Sequence, residues 1–180
     1  MLISNSRCKH LKIVNQEIYS DLRGFVRPLR FKNQRELPFS TKDIYISSSR
    51  KGVFRGLHVQ FSSPPPNKLV SVIQGSIIGV SVCCNTKCKY FGKVTIKKIS
   101  SNTSKGFLIP SLQAFGYLVL ESNTLIATCT DQPYIESQER GINPTSFLNI
   151  LDHSGKIIIS NKDKKWPTLN DFIRISRNNF

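Results

Sequence analysis

Acidic residues are scarce in this chain: 11 Asp and Glu stand against 26 Lys and Arg in 180 residues, a formal net charge of +15. Long apolar runs are missing as well. None approaches the roughly 18–20 residues of a membrane-spanning helix. The N-terminus, MLISNSRCKHLKIV, holds no continuous apolar stretch of secretory-signal length, so a soluble, cytoplasmic protein is expected. The five cysteines, at positions 8, 83, 84, 88 and 129, are odd in number and lack framework spacing, which points to reduced thiols rather than a disulfide scaffold. Cys83, Cys84 and Cys88 have no second ligand pair nearby to complete a structural zinc site. Histidine is rare too, with only His10, His58 and His153. Metal sites built on a strand commonly use an H-x-H pair with further carboxylates, and Gln60 stands where the second His would fall. Neither a metal nor another cofactor is expected.

The charge excess admits two partners, a nucleic acid or an anionic small molecule. The lysines are scattered through residues 84–105 and 156–165 among Ile, Ser and Asn. They form no stripe and accompany no nucleic-acid motif, so nucleic-acid binding is not expected, and neither is a membrane.

Apolar content of 39% with 11 Phe and 5 Tyr suits a globular chain, and 180 residues fit one core rather than two. Short strand-like runs, some alternating and some continuously apolar and β-branched, recur about every ten residues. Residues 43–49 (DIYISSS), 68–74, 76–84, 90–99, 107–110, 116–121 and 124–130 read as strands, with a weaker candidate over 10–19 and a short one over 157–160. Residues 20–25 read as a turn around Gly24. Pro64, Pro65 and Pro66 make a stiff loop. The runs at 68–74 and 76–84, split by Gly75, predict a hairpin. Residues 27–42, broken by Pro28 and Pro38, predict an irregular excursion with at most a short helix. Residues 151–155 read as a turn. Thr168, with Asp171 three positions on, predicts the capped start of a short C-terminal helix. The spacing indicates a single, all-β, mainly antiparallel domain over 1–180, a sandwich or barrel. Its core spans about 43–151, between an N-terminal arm at 1–42 and a tail at 152–180.

One stretch concentrates chemistry. Val53-Phe54-Arg55-Gly56-Leu57-His58-Val59-Gln60 reads as a strand carrying a guanidinium, an imidazole and an amide. Residues two apart on a strand share a face, so His58 and Gln60 point the same way. Taken alone, a single strand histidine is more often structural than catalytic.

Several blocks then fall in one order: Arg23-Gly24-Phe25, residues 52–60 (GVFRGLHVQ), Lys68-Leu69-Val70, Gly92-Lys93, Ile109-Pro110, residues 116–120, Cys129-Thr130-Asp131 and Asn161-Lys162-Asp163. Together, across about residues 14–172, they resemble the dTDP-4-dehydrorhamnose 3,5-epimerase family. The resemblance implies a cupin-type jelly roll acting as a homodimer, without a cofactor, on a dTDP-4-keto-6-deoxy-sugar. It implies a catalytic base, His58, held by Asp163, and Lys68 near the ketone oxygen to stabilise the enolate. It further implies that Arg23, Arg55, Gln60, Tyr134, Glu139 and Lys162 contact the nucleotide-sugar, the guanidinium groups matching phosphate geometry. Three positions depart from the family pattern. Phe115 replaces a pocket histidine, Gly79 replaces an aspartate, and Ala127 falls where the family has a proton-donating tyrosine, which leaves a gap facing His58. Alternative readings are a sugar 3,4-ketoisomerase and a cupin that binds nucleotide-sugar without turnover.

Overall fold

Two apolar runs that adjoin in sequence end in different sheets. The computed structural model of the protein describes residues 10–32, 39–151 and 153–179; Cys8 and Pro38 lie outside the described residues. The first sheet holds β1 (Lys12–Asn15), β4 (Asp43–Ser49), β6 (Lys68–Gln74), β9 (Lys105–Ile109) and β11 (Thr124–Thr130), in the order β1-β9-β6-β11-β4. The second holds β5 (Val53–Gln60), β7 (Ser76–Cys83), β8 (Val94–Ser100), β10 (Gln113–Val119) and β12 (Glu139–Gly141), in the order β12-β5-β10-β7-β8. A short β13 (Ile158–Ile159) pairs in parallel with the start of β5. A small hairpin, β2 (Tyr19–Asp21) and β3 (Gly24–Val26), stands apart from both sheets. One helical turn, α1 (Asn161–Lys164), and a longer α2 (Leu169–Asn179) follow. The described residues form a cupin-type jelly roll, the expected architecture.

The hairpin expected around Gly75 is not formed. β6 pairs with β9 and β11, whereas β7 pairs with β8 and β10. Gly75 has φ +83°, and a Cβ there would meet Thr124 Oγ1 at 2.2 Å. It turns the chain sharply from one sheet into the other instead of folding it back beside itself.

The second sheet is buried on both faces, which explains why β7 reads as a continuous apolar run rather than an alternating one. Ile77 packs with Val70, Val72, Ile99, Phe107, Phe115 and Ile126 between the sheets. On the other face Ile78, Val80 and Val82 pack with Phe54, Leu57, Val59, Phe147 and Phe172, under a layer supplied by the C-terminal segment. Cys83, Cys84, Cys88 and Cys129 are free and buried. α2 begins as predicted: Thr168 Oγ1 accepts from Asp171 N–H at 3.2 Å and donates to Asp171 Oδ2 at 2.7 Å.

Candidate active site

The site depends on one extra residue in β5. Tyr117 of β10 pairs with Arg55, but Phe115, two residues earlier, pairs with His58, three residues later. This bulge breaks the alternation and turns Arg55 and His58 to the same face, which period-two reasoning could not anticipate. Gly56 sits at the break with φ +92°, and a Cβ there would lie 2.6 Å from Phe115 O, so the position admits glycine alone. Beyond the bulge, Val53, Arg55 and His58 line a cavity between the sheets of about 520 Å³. His58 and Gln60 line a second of about 420 Å³. Three side chains border both cavities: His58, Lys68 and Tyr45.

Asp163 reaches His58 through a chain of local devices. Parallel pairing of β13 with Val53 and Phe54 lays the tail beside β5. Ser160 then caps α1, its hydroxyl accepting from Asp163 N–H at 3.0 Å. That single helical turn buries Asp163 to 4% exposure. Its Oδ1 lies 2.6 Å from His58 Nε2, and its Oδ2 accepts from Gly56 N–H at 3.3 Å. Burial pushes the carboxyl pKa up, but the hydrogen bond and charge of His58, with Ser160 and the Gly56 N–H, outweigh it and hold it below the ordinary aspartate value. The hydrogen bond to Asp163 places the imidazole proton on Nε2 and leaves the Nδ1 lone pair as the basic atom.

A second carboxylate flanks the ring. Glu139 on β12 pairs in register with Gln60, and its Oε1 lies 3.6 Å from His58 Nδ1. Its Oε2 ion-pairs with Lys162 and accepts from Tyr134 Oη at 3.1 Å, while Lys162 Nζ donates to Tyr134 Oη at 3.2 Å. The Glu139 bond raises the Lys162 pKa first, and Tyr134 adds to it. Gln60 is buried and fully used: Oε1 accepts from Ile135 N–H at 2.9 Å, and Nε2 donates to Pro133 O at 3.1 Å and to Ser62 Oγ at 2.9 Å. It thereby fixes the loop that presents Tyr134. Both Gln60 and Glu139 thus hold other groups in place as well as bordering the cavity.

The first sheet supplies the facing wall. Lys68 borders both cavities, and burial lowers its pKa, with Glu139 opposing. No hydrogen bond or ion pair of its ammonium is found among the described residues. A half-buried cation of this kind is a ready site for developing negative charge. Arg55 sits nearer the rim, its Nε donating to Ser49 Oγ at 2.9 Å and its Nη2 to Ser48 O at 3.2 Å. Arg23 is not brought to this site within the chain. It lies on the β2–β3 hairpin, 90% exposed, paired with Asp21 at 2.5 Å, and borders neither cavity.

The gap expected at Ala127 is absent. Ala127 pairs across the sheet with Ile46 and Ser71 and turns away from the cavities, while its neighbours Thr128 and Thr130 line them. Strand register, invisible in the sequence, decides which of two adjacent residues faces inward. The other two departures form one unit. A Cβ on Gly79 would lie 2.7 Å from the Phe107 ring and 3.2 Å from the Phe115 ring, so the Phe115 side chain occupies space that any Gly79 side chain would need. Residues missed by sequence reasoning are Tyr45, Ser47, Tyr117, Thr128 and Ser160. Alternation across DIYISSS gave the only available signal, since it places Tyr45, Ser47 and Ser49 on one face.

Comparisons with known proteins identify the family. A family profile described as dTDP-4-dehydrorhamnose 3,5-epimerase matches residues 5–171. The dTDP-4-dehydrorhamnose 3,5-epimerase of Methanothermobacter thermautotrophicus is 30% identical over 168 residues, covering 88% of this chain and 89% of that protein. Among solved structures, dTDP-6-deoxy-D-glucose-3,5-epimerase of Legionella pneumophila, in complex with dTDP-4-keto-L-rhamnose, superposes with a TM-score of 0.79 at 29% identity, covering 92% of this chain and 91% of that one. The dTDP-4-dehydrorhamnose 3,5-epimerase of Sulfolobus tokodaii gives 0.77 at 26% identity, covering 92% and 94%. The chain belongs to the dTDP-4-dehydrorhamnose 3,5-epimerase family.

Proposed function

We propose that the protein is an epimerase of a dTDP-linked 4-keto-6-deoxy sugar, with His58 as the base. The observation that carries this reading is the position of His58 between Asp163 and Glu139, in a cavity that the half-buried Lys68 also lines. A hydrogen on carbon beside a ketone becomes acidic only when the enolate oxygen is stabilised. His58 Nδ1 removes that hydrogen, the C–H electrons flow to the ketone oxygen, and Lys68 stabilises the resulting charge. Asp163 holds the ring and favours the imidazolium once it forms. Arg55, on the same face of β5, binds the diphosphate. The two sheets and the tail all contribute to the site, so the chain acts as one folded unit.

The test is incubation with dTDP-4-keto-6-deoxyglucose in D₂O, with NMR of the sugar. Deuterium at C3, C5 or both, dependent on His58, is expected. No exchange above a His58→Ala control would sink the catalytic reading for that sugar and leave a binding protein. A carbonyl moved to C3 would instead identify a 3,4-ketoisomerase.

A homodimer fits the exposed apolar groups on the free edge strand β4 and the β2–β3 hairpin: Ile44 at 59%, Ile46 at 71%, Phe25 at 55% and Val26 at 66% exposure. Sedimentation at micromolar concentration should give twice the chain mass, and an Ile46→Lys variant the single mass. Four buried free thiols suit a reducing compartment, and the cytoplasm is the location we assign.

A further inference from the structure

Inverting a carbon centre needs two proton-handling groups on opposite faces of the sugar, and the base accounts for one of them. If His58 were alone it would return the proton to the face it came from. The second sheet carries His58, and the loop phenol Tyr134 is tied to Glu139 and Lys162 on that same side, so the acid belongs on the first sheet. Its side chains bordering the first cavity are Tyr45, Ser47, Lys68, Val70 and Thr128, with Asp43 and Thr130 added in the second. Ser and Thr hydroxyls are too weakly acidic to give up a proton at neutral pH, and an ionised carboxylate has none to give. Two groups remain, the phenol of Tyr45 and the ammonium of Lys68. Lys68 is the cation placed to stabilise the enolate oxygen.

Tyr45 meets the requirement by position. It lies on β4 and pairs with Thr128 of β11, on the strand face that borders the cavities; at 45% exposure it stands at their open mouth, while Ile44 and Ile46 on the other face are 59% and 71% exposed. It is one of the three residues shared by both cavities, with His58 and Lys68, so it stands where the base and the oxyanion site meet. Tyr117, the other phenol nearby, is less suited. It belongs to β10, in the same sheet as His58 and paired with Arg55, and its hydroxyl is engaged with Ser47 Oγ at 3.0 Å.

On the functional reading above, the geometry points to Tyr45 as the general acid that protonates the reacting carbon on the face opposite His58. His58 Nδ1 takes the proton, and the electron pair moves to the ketone oxygen beside Lys68. The enolate then collapses, its carbon taking the Tyr45 proton as a new C–H bond while the C=O re-forms. Tyr45 is left as phenolate and His58 as imidazolium. Solvent at the open mouth returns a proton to the one and accepts a proton from the other, which restores both groups with no net change. Burial, with Thr128 as its hydrogen-bonding neighbour opposing, pushes the Tyr45 phenol up to about 12, so it stays protonated and ready to donate at neutral pH.

The experiment follows dTDP-4-keto-6-deoxyglucose in D₂O by NMR, reading solvent exchange and inversion separately, for the full chain and for Tyr45→Phe, Tyr117→Phe and Lys68→Met. For Tyr45→Phe the expected result is a loss of inverted product of about 10²–10⁴-fold, while deuterium still enters the same carbon with retention. A fold defect would lower both rates together, so this uncoupling separates an acid from a structural residue. Tyr117→Phe should keep exchange and inversion coupled. Inversion at the unmodified rate in Tyr45→Phe overturns the proposal. So does the uncoupled signature in Tyr117→Phe, or in Lys68→Met, which would make that residue the donor. If the unmodified protein neither exchanges nor inverts, the functional reading fails with it; if it does both, only the assignment of Tyr45 is at stake.

Discussion

The two walls of the cavity are built on opposite principles. On the second-sheet wall nearly every polar group already has a partner: Asp163 binds His58 and Gly56 N–H, and Glu139 binds Lys162 and Tyr134. On the first-sheet wall the decisive group, Lys68, is half-buried with no carboxylate at contact distance among the described residues, and desolvation lowers its pKa against the opposing charge of Glu139. Rigid, charge-balanced surroundings suit a base whose ring must keep one tautomer and one aim. An unneutralised cation suits the other wall, because it is stabilised only when the substrate's oxygen becomes negative. The base wall is organised before substrate arrives, and the facing wall is completed by it.

Breaking the base wall should cost most. Asp163→Asn keeps the shape but removes the charge, and an amide can hold either imidazole tautomer. Turnover should fall by about 10²–10⁴-fold, measured as deuterium incorporation under saturating substrate. The stability consequence has a definite sign. The folded Asp163 pKa lies below its unfolded value, so the carboxylate contributes stability that is full above about pH 3.9 and is lost as pH falls through the lowered folded value. Melting temperatures between pH 5 and pH 2 should therefore fall less steeply in Asp163→Asn than in the unmodified protein. Equal slopes would mean that the carboxylate contributes nothing to acid stability.

The two walls also differ in how much of them the sequence reveals. Lys68 opens an apolar, β-branched strand that ends where predicted, so its place at the start of that strand is legible in the sequence, although its role came from the resemblance. Asp163 lies in NKDKK, which has no apolar periodicity and reads alone as solvated surface. Its 4% exposure comes from β13 pairing with β5 more than a hundred residues earlier, a contact no local rule contains. Only the resemblance flagged it. The β5 bulge and the choice of Thr128 over Ala127 were hidden for a related reason: alternation gives the period of a strand but not its phase once a residue is inserted. The Gly75 corner was misread because two β-branched runs around a glycine look alike whether the chain folds back or crosses to the other layer.

Lys68→Met sharpens the contrast from the other side. It should lower turnover by about 10²–10³-fold, yet raise stability by on the order of 1 kcal/mol, since an apolar side chain of similar length replaces a desolvated charge. For a chain of this size that is a rise in Tm of about 2–4 °C. Stability rises with pH here as it does for Asp163, but through a penalty being relieved rather than a contribution being gained. Lys68 has a folded pKa below its unfolded value, so its destabilising effect is full below the folded pKa and fades as pH rises toward about 10.4. The gain in Tm should accordingly be largest at low pH and shrink as pH rises toward about 10.4. A loss of stability at pH 7 would show that Lys68 is a paired structural cation, and the distinction between the walls would fail.

The smallest effect tests whether the second carboxylate belongs to the base or only to the loop. Glu139 Oε1 lies 3.6 Å from His58 Nδ1, outside hydrogen-bond range but close enough to favour the imidazolium as it forms. Glu139→Gln retains an acceptor for Tyr134 and the length of the side chain, while removing the charge that both His58 and Lys162 feel. If Glu139 acts through His58, kcat should drop about tenfold, the ~1.4 kcal/mol expected of one lost charge near a developing cation, with KM little changed. If it only ties Lys162 and Tyr134 to the cavity mouth, KM should rise and kcat hold. Steady-state kinetics separate the two outcomes. A KM effect alone would remove Glu139 from the base wall and leave Asp163 as the one carboxylate that prepares His58.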